Sequence, residues 1–412
     1  MKNSKSQVKL QQKNFMNWYL FNIPRFILLF FLKVVYQSLQ LLVKPTKGQL
    51  VFFASEAVWG DNLKSFYDYC ISQEESNPII IVKNKKLYEK LKETKYSNCI
   101  SAISVRGLAA FLKAEGVIIY NGSSKLHFFP YALIPSIKPV FNLWHGIPLK
   151  RIGRKVELHR TRMSTYLFQK YSLFFVCSQA EAKLMQRCFD LKPENISITG
   201  SSRNDLILSE NKSESLSASF IAKKICLYAP TWREYGDTST FFPWEKYDLN
   251  VLEEFLKSEN MVLLLRGHRQ ELNHKKEEIT FIDGSDWIFF AENDEFPDVN
   301  KILAHTDILI TDYSSIYLDF VLLDKPIIFI PYDLEKYKSY RGFLMDYDAN
   351  TPGIKVTKAN EFIPALKSSL YTPEKFLANR NLIKNKFHQY TDGKASERIL
   401  DEITKFISFR GA

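Results

Sequence analysis

Two histidines, several arginines and a pair of serines stand where apolar runs give way to turns, and their types suit work on a phosphate ester. Residues 307–319 read Asp-Ile-Leu-Ile-Thr-Asp-Tyr-Ser-Ser-Ile-Tyr-Leu-Asp. Asp307 to Thr311 predicts a short buried strand, and Ile316 to Leu323 the helix after it. The junction Asp312–Ser315 would aim free backbone N–H groups, the positive end of a helix dipole and two hydroxyls at one point, a cradle for a phosphate. A plain Asx or Ser cap fits the same residues. Arg233, Arg266, His268 and Arg269 also follow apolar runs and would gather near Ser314 and Ser315. Arginine grips phosphate with a bidentate fork, so this set suggests a diphosphate site. In the first half, the run Val140–Trp144 ends in His145, with Gly146 and Lys150 close behind. Ligands of open α/β sheets sit beyond the carboxyl ends of strands. His145 is placed for that, Gly146 permits close backbone approach, and Lys150 offers a cation to an anionic group. A surface loop with a capping histidine is the competing reading.

These groups need strands to present them, and the sequence supplies alternating strands and helices. In the first half, strands are expected at Leu50–Ala54, Pro78–Val82, Gly116–Tyr120, Val140–Trp144, Leu173–Cys177 and Ile196–Thr199. Helices fall between them at Asn62–Ser72, Lys85–Lys95, Gly107–Ala114, Thr165–Tyr171 and Gln179–Phe189. The polar stretch Ser209–Ser219 has no apolar period and reads as a connection. The alternation then restarts with strands at Ile225–Ala229, Met261–Leu265, Asp307–Thr311 and Pro326–Ile330, and helices at Val251–Ser258 and Phe296–Ala304. Unbroken apolar strands between helices mean parallel sheets covered on both faces. The tail from Pro373 to Phe409 mixes basic and acidic residues and reads by default as a solvated helix pair.

At 412 residues the chain exceeds one ordinary core, and an apolar content of 46% argues against disorder. Five scattered cysteines have neither metal spacing nor a disulfide framework, which fits a reducing cytoplasmic setting. The net charge of +11 is uneven. Residues 1–50 hold eight Lys/Arg and no acid, and a second basic cluster spans 150–162. Phe15 to Val43 is rich in Phe, Leu, Trp and Tyr, but Arg25 and Lys33 interrupt it. The run Phe26–Leu32 is far short of the roughly 20 residues a spanning helix needs. Three readings of this stretch remain: an amphipathic helix in the interface of an anionic membrane, a helix packed on the first domain, and a true span. No small-residue cleavage site follows it, so a signal peptide is not expected.

Five ordered pieces give the chain a resemblance to the CDP-glycerol glycerophosphotransferase family, the teichoic-acid primases and polymerases with relatives that use CDP-ribitol or build capsules. They are Trp144-His-Gly-Ile-Pro-Leu-Lys150, Gly200-Ser-Ser-Arg-Asn-Asp205, Tyr228-Ala-Pro-Thr-Trp-Arg233, Arg266-Gly-His268 and Thr311-Asp-Tyr-Ser-Ser-Ile-Tyr-Leu-Asp-Phe320. Lys325-Pro326 and Tyr340-Arg-Gly-Phe343 follow in family order, so the match spans about residues 140 to 345. Ile147 and Gly267 depart from the residues usual in the family, Thr and Met. The resemblance implies two Rossmann-like domains of the GT-B kind with a cleft between them. The expected division is a basic membrane-associating segment at 1–47, an acceptor-side domain at 48–208, a CDP-polyol-binding domain at 220–395 and a C-terminal helix at 396–412.

The resemblance also implies transfer of a polyol phosphate from CDP-glycerol or CDP-ribitol to a hydroxyl of a lipid-linked saccharide acceptor, with release of CMP. It implies no cofactor and no metal. His145 is the candidate general base, because an imidazole titrating near neutrality suits that task. His268 is the second essential histidine by resemblance, for the pyrophosphate or the departing CMP, and which histidine has which role stays open. Arg233, Arg266, Ser314 and Ser315 would hold the diphosphate. Trp144, Gly146, Ile147, Pro148, Lys150 and Gly267 belong to the substrate-side motifs. Arg203, Pro230, Thr231 and Asp319 would contact the donor, Asp319 through the cytidine hydroxyls. The expected location is peripheral, on the cytoplasmic face of the cell membrane, with a homo-oligomer left open. The lack of large extra domains favours a primase or short-chain enzyme over a polymerase. A glycosyltransferase using a UDP- or GDP-sugar is the competing enzyme reading, and a non-catalytic basic membrane or nucleic-acid adaptor the competing non-enzyme. No aromatic-interleaved basic motif supports nucleic acid.

Overall fold

A computed structural model describes residues 31, 34, 35, 37–54, 59–120, 138–153, 171–209, 223–231, 233, 241–244, 247–267, 276–291 and 298–411. Most of the basic segment at 1–47, the helix expected at Thr165–Tyr171 except for Tyr171 itself, the second basic cluster beyond Gly153, the connection after Ser209, and His268 with Arg269 lie outside the described residues.

The first half forms a sheet of β1 (Gln49–Ala54), β2 (Asn77–Val82), β3 (Ile100–Ser101), β4 (Gly116–Ile119), β5 (Val140–Asn142), β6 (Leu173–Val176) and β7 (Ile196–Ile198). The order is β3-β2-β1-β4-β5-β6-β7, with every pairing parallel. The second half repeats the pattern with β8 (Lys224–Tyr228), β9 (Met261–Leu265), β10 (Ile288–Phe290), β11 (Ile308–Thr311), β12 (Ile327–Phe329) and β13 (Ile354–Lys355). Its order is β10-β9-β8-β11-β12-β13, again all parallel. Both sheets reverse direction beside their first strand, at β1/β4 and at β8/β11. Such reversals leave a crevice at the strand carboxyl ends, where doubly wound folds bind ligands. Strands β3, β10 and β13 are two or three residues long, too short to show a hydrophobic pattern of their own.

Both faces of each sheet are buried. Leu50, Phe52 and Ala54 pack on one side of β1, and Val51 and Phe53 on the other. In the second sheet Ile225, Leu227 and Leu309 face one core, and Cys226, Tyr228, Ile308 and Ile310 the other. This is why the strands read as unbroken apolar runs rather than alternating ones.

The C-terminal tail differs from the expected solvated pair. The helix Leu377–Phe387 buries Ile383 and Phe387 in the second half's core. The helix Ala395–Gly411 then returns to the first sheet, where Ile399 and Ile403 are buried beside Leu50 and Phe52. Asp205 caps this last helix, accepting from the N–H groups of Ala395 (2.8 Å) and Ser396 (2.7 Å). Among the described residues no helix is long and apolar enough to cross a membrane. Leu39 and Val43 pack on the first sheet, while Leu41 and Leu42 are exposed beside the exposed Lys44 and Lys47.

Candidate functional site

The turn after β5 carries His145 on a strained backbone. Trp144 is left-handed (φ 55°), a conformation that costs a non-glycine on the order of 1–3 kcal/mol unless its surroundings enforce it. Asn142 Oδ1 accepts from the Trp144 N–H at 2.8 Å. Asn62 Nδ2 donates to the carbonyls of Leu143 (3.2 Å) and Trp144 (3.0 Å). The buried Trp144 indole lies against the His145 ring, with centroids 4.2 Å apart. His145 is exposed, and its Nδ1 lies 3.2 Å from the Tyr120 carbonyl. A carbonyl only accepts, so the neutral ring carries its proton on Nδ1 and the basic lone pair on Nε2.

Gly146 has φ 123°, and a Cβ there would meet Arg203 Nη2 at 2.4 Å. That guanidinium is what the glycine makes room for. Arg203 Nη1 donates to the His145 carbonyl and to Asp61 Oδ1, both at 2.8 Å. Nη2 reaches Asp319 Oδ2 of the second half at 2.5 Å. Arg203 is buried, and the two carboxylates push its already high pKa further up against the opposing effect of burial.

The rest of the motif loop goes inward. Ile147 and Leu149 are each 1% exposed, Pro148 is buried, and Ile147 and Leu149 join the core that holds Tyr313, Tyr317 and Phe320. Lys150 forms an antiparallel bridge with Phe343, flanked by Arg151 N–H to Gly342 O (3.1 Å) and Leu344 N–H to Leu149 O (2.9 Å). Ile147 and Pro148 were expected at the substrate. Ile147 instead packs in the core it shares with the second half, because an apolar side chain there completes that core, and Pro148 is buried beside it.

On the other side, the segments after β8 and β11 flank the second reversal point. Asp312 Oδ1 accepts from Thr231 N–H at 2.8 Å and from Tyr313 N–H at 2.5 Å, tying the two turns together. Pro230 is half-buried and precedes that contact. Thr231 Oγ1 is buried with no hydrogen-bond partner among the described residues. Ser314 and Ser315 are half-buried at the start of the helix Ile316–Phe320. The Ser315 side chain makes no cap, and Ser314 Oγ lies 3.4 Å from Ile316 N–H. Arg266, at the end of β9, donates to the Ala291 carbonyl at 2.9 Å. Burial lowers its pKa to about 10, against the pull of Asp298. Gly267 beside it is half-buried.

Two expected donor contacts are placed differently. The Arg233 side chain is fully buried between Asp312 (2.8 Å) and Asp333 (2.9 Å), among the rings of Tyr313, Tyr332 and Tyr337. Its fork is committed to carboxylates. Asp319, 3% exposed, is committed to Arg203 rather than to solvent. A lone arginine or aspartate in sequence does not show which opposite charge folds against it. Asp61, Asn62 and Asn142 also serve the site but carry no motif of their own, whereas Asp333 stands at a strand end. The signal for Asn62 was its place at the start of a helix that follows the first strand. Among the described residues no cluster of His, Cys, Asp and Glu could hold a metal.

Two doubly wound lobes, joined by a C-terminal crossing and meeting at a polar seam of strand-end loops, define a GT-B-like architecture. The chain belongs to the CDP-glycerol:poly(glycerophosphate) glycerophosphotransferase family, whose model matches residues 36–405. It is an enzyme, a glycerophosphotransferase of the CDP-glycerol-using kind. It is 29% identical over 394 residues to the teichoic acid glycerol-phosphate transferase of Staphylococcus aureus, covering 90% of this chain and 97% of that one. It is also 29% identical over 278 residues to the S. aureus ribitol-phosphate polymerase TarL, covering 63% of this chain but only 47% of that longer protein. In three dimensions it resembles the wall teichoic acid polymerase TagF, with a TM-score of 0.70 over 97% of this chain and 99% of the other. At 23% identity that likeness is one of fold.

Proposed function

We propose that the seam between the lobes binds a CDP-polyol, with glycerol as the polyol, and passes its polyol phosphate to a hydroxyl of a lipid-linked saccharide. The acceptor oxygen attacks the β-phosphorus, the bond from that phosphorus to the bridging oxygen breaks, and CMP leaves. His145 Nε2 takes the hydroxyl proton. Arg266, the N–H groups and hydroxyls of Ser314 and Ser315, and Thr231 face the diphosphate and offset charge on the leaving group. His268 acts on the pyrophosphate side, in keeping with its motif. Lys150, Gly146 and Trp144 belong to the acceptor side, and Gly267 to the donor side. Arg233 shapes the diphosphate turn through Asp312 instead of gripping the diphosphate. Arg203 and Asp319 join the lobes behind the donor.

The observation that carries this reading is the Arg203 guanidinium. It bonds the carbonyl of His145 in one lobe and Asp319, from the helix after the Ser314–Ser315 turn, in the other. That the His145 loop and the helix after Ser315 share one guanidinium supports the reading of them as two sides of one site. Exposed Leu41 and Leu42 beside Lys44 and Lys47 support docking on an anionic membrane surface, where a lipid-linked acceptor is presented.

The test is incubation with CDP-glycerol and CDP-ribitol separately, each with a lipid-linked disaccharide, following CMP and product length. CMP release that needs both CDP-glycerol and the acceptor is expected. Turnover with CDP-ribitol alone would reassign the polyol. Protection from thermal unfolding by UDP but not by CMP would overturn the cytidine reading in favour of a UDP-sugar enzyme.

A further inference from the structure

We propose that Asn62 is a positioning residue for the reaction, holding the peptide that presents the His145 imidazole. The inference rests on the reading of His145 as the base. Asn62 lies 1% exposed at the start of the helix Asp61–Cys70, far in sequence from everything it holds. Its Nδ2 donates to the carbonyls of Leu143 and Trp144. The Trp144 carbonyl belongs to the same peptide unit as the His145 nitrogen, so this bond fixes the plane from which the imidazole departs.

The other end of the carboxamide is anchored in a different element. Oδ1 accepts from Ser201 Oγ at 2.7 Å and from Arg203 N–H at 2.9 Å, and Ser202 Oγ lies 3.1 Å away. Ser202 Oγ also donates to the Asn62 carbonyl at 2.9 Å. These partners leave one orientation for the amide, because carbonyls only accept and an N–H only donates. Asn62 thus ties the Ser201–Arg203 turn to the His145 loop. Arg203 closes the ring by bonding the His145 carbonyl itself.

Backbone strain is the independent observation. Trp144 (φ 55°) and Asp61 (φ 59°), the residue before Asn62, are both left-handed non-glycines. Strain of this kind persists where the surroundings over-determine it, and it gathers at working sites. Here the two strained residues lie on the two segments that Asn62 joins.

The test uses the full chain with CDP-glycerol and a lipid-linked acceptor. Asn62→Asp keeps the acceptor that faces Ser201 and Arg203 but loses the donor that holds the two carbonyls. Ser201→Ala removes one anchor of Asn62 with little change in volume, and serves if Asn62→Asp does not fold. A misplacement of about 1 Å can cost roughly 10²-fold. The expected result is a fall in kcat of about 10- to 100-fold for Asn62→Asp and a smaller fall for Ser201→Ala. KM for CDP-glycerol should stay within about threefold, on the reasoning that misplacing the base spares donor binding. In a His145→Ala background, Asn62→Asp should cost less than about twofold more. Unchanged kcat in the folded variants, or losses that multiply with His145→Ala, would overturn the proposal. Where His145→Ala leaves no measurable rate, the split between kcat and KM decides. Wild-type turnover by His145→Ala would instead remove the base, and this inference with it.

Discussion

The commitment of each charge at the seam decides what it can do. Arg233 has the residue type and strand-end position of a phosphate clamp. Its guanidinium is nevertheless closed between Asp312 and Asp333, and Asp333 in turn accepts from Tyr313 Oη at 2.9 Å. Removing one member of such a buried set leaves uncompensated charge, at a cost of about 3–5 kcal/mol. Arg233→Met is therefore expected to lower the unfolding free energy by an amount of that order, read as a lowered denaturant midpoint at unchanged m. A direct ligand contact predicts the reverse pattern, an unchanged midpoint with a raised KM for CDP-glycerol. Equilibrium unfolding alongside steady-state kinetics separates the two.

At the scale of an element, the helix Gln179–Phe189 begins with a cap that also senses pH. Ser178 Oγ accepts from the Glu181 N–H at 3.2 Å, and Glu181 Oε2 accepts from the Cys177 N–H at 2.6 Å. Glu181 is buried, and burial chiefly pushes its pKa from 4.5 up to about 7. The Cys177 N–H and Arg203 oppose the shift, and Asp319 adds to it. A raised carboxyl binds its proton more tightly folded than unfolded. The penalty is absent below pH 4.5, grows between 4.5 and about 7, and reaches roughly 3 kcal/mol above that. Glu181→Gln should thus gain stability relative to wild type at pH 8 and little at pH 5. Equal differences at the two pH values in thermal melts would contradict this. The C-terminal helix belongs to the same scale. Ile399, Ile403 and Phe406 recur at helical spacing, a readable apolar stripe that the mixed charges around it obscured.

At the scale of the whole molecule, the contacts between the lobes among the described residues include the core shared by Ile147 and Leu149, the backbone bridge at Lys150–Phe343, and the Asp61–Arg203–Asp319 chain. Asp319→Asn removes one charge while Asp61 still neutralises Arg203. The lobes should then loosen without the fold failing. Hydrogen exchange should speed up at the bridging amides of Arg151 and Leu344, with the amides of β1 and β8 unchanged. Uniform acceleration across the chain would mean global destabilisation and would refute a local latch.

The alternation of apolar runs with helical segments was enough to establish two parallel-sheet halves. The five ordered motifs were enough to identify the family, because strand burial and turn chemistry are local properties. Partnership is not local. That Arg233 faces two aspartates, that Asp319 faces an arginine from the other half, and that Ile147 packs in the second core all depend on segments roughly 80 to 170 residues apart. Asn62 is the clearest case. Its place at the start of a helix is the one local mark it carries, and only the folding of that helix against two distant turns gives its carboxamide the carbonyls and N–H groups it joins.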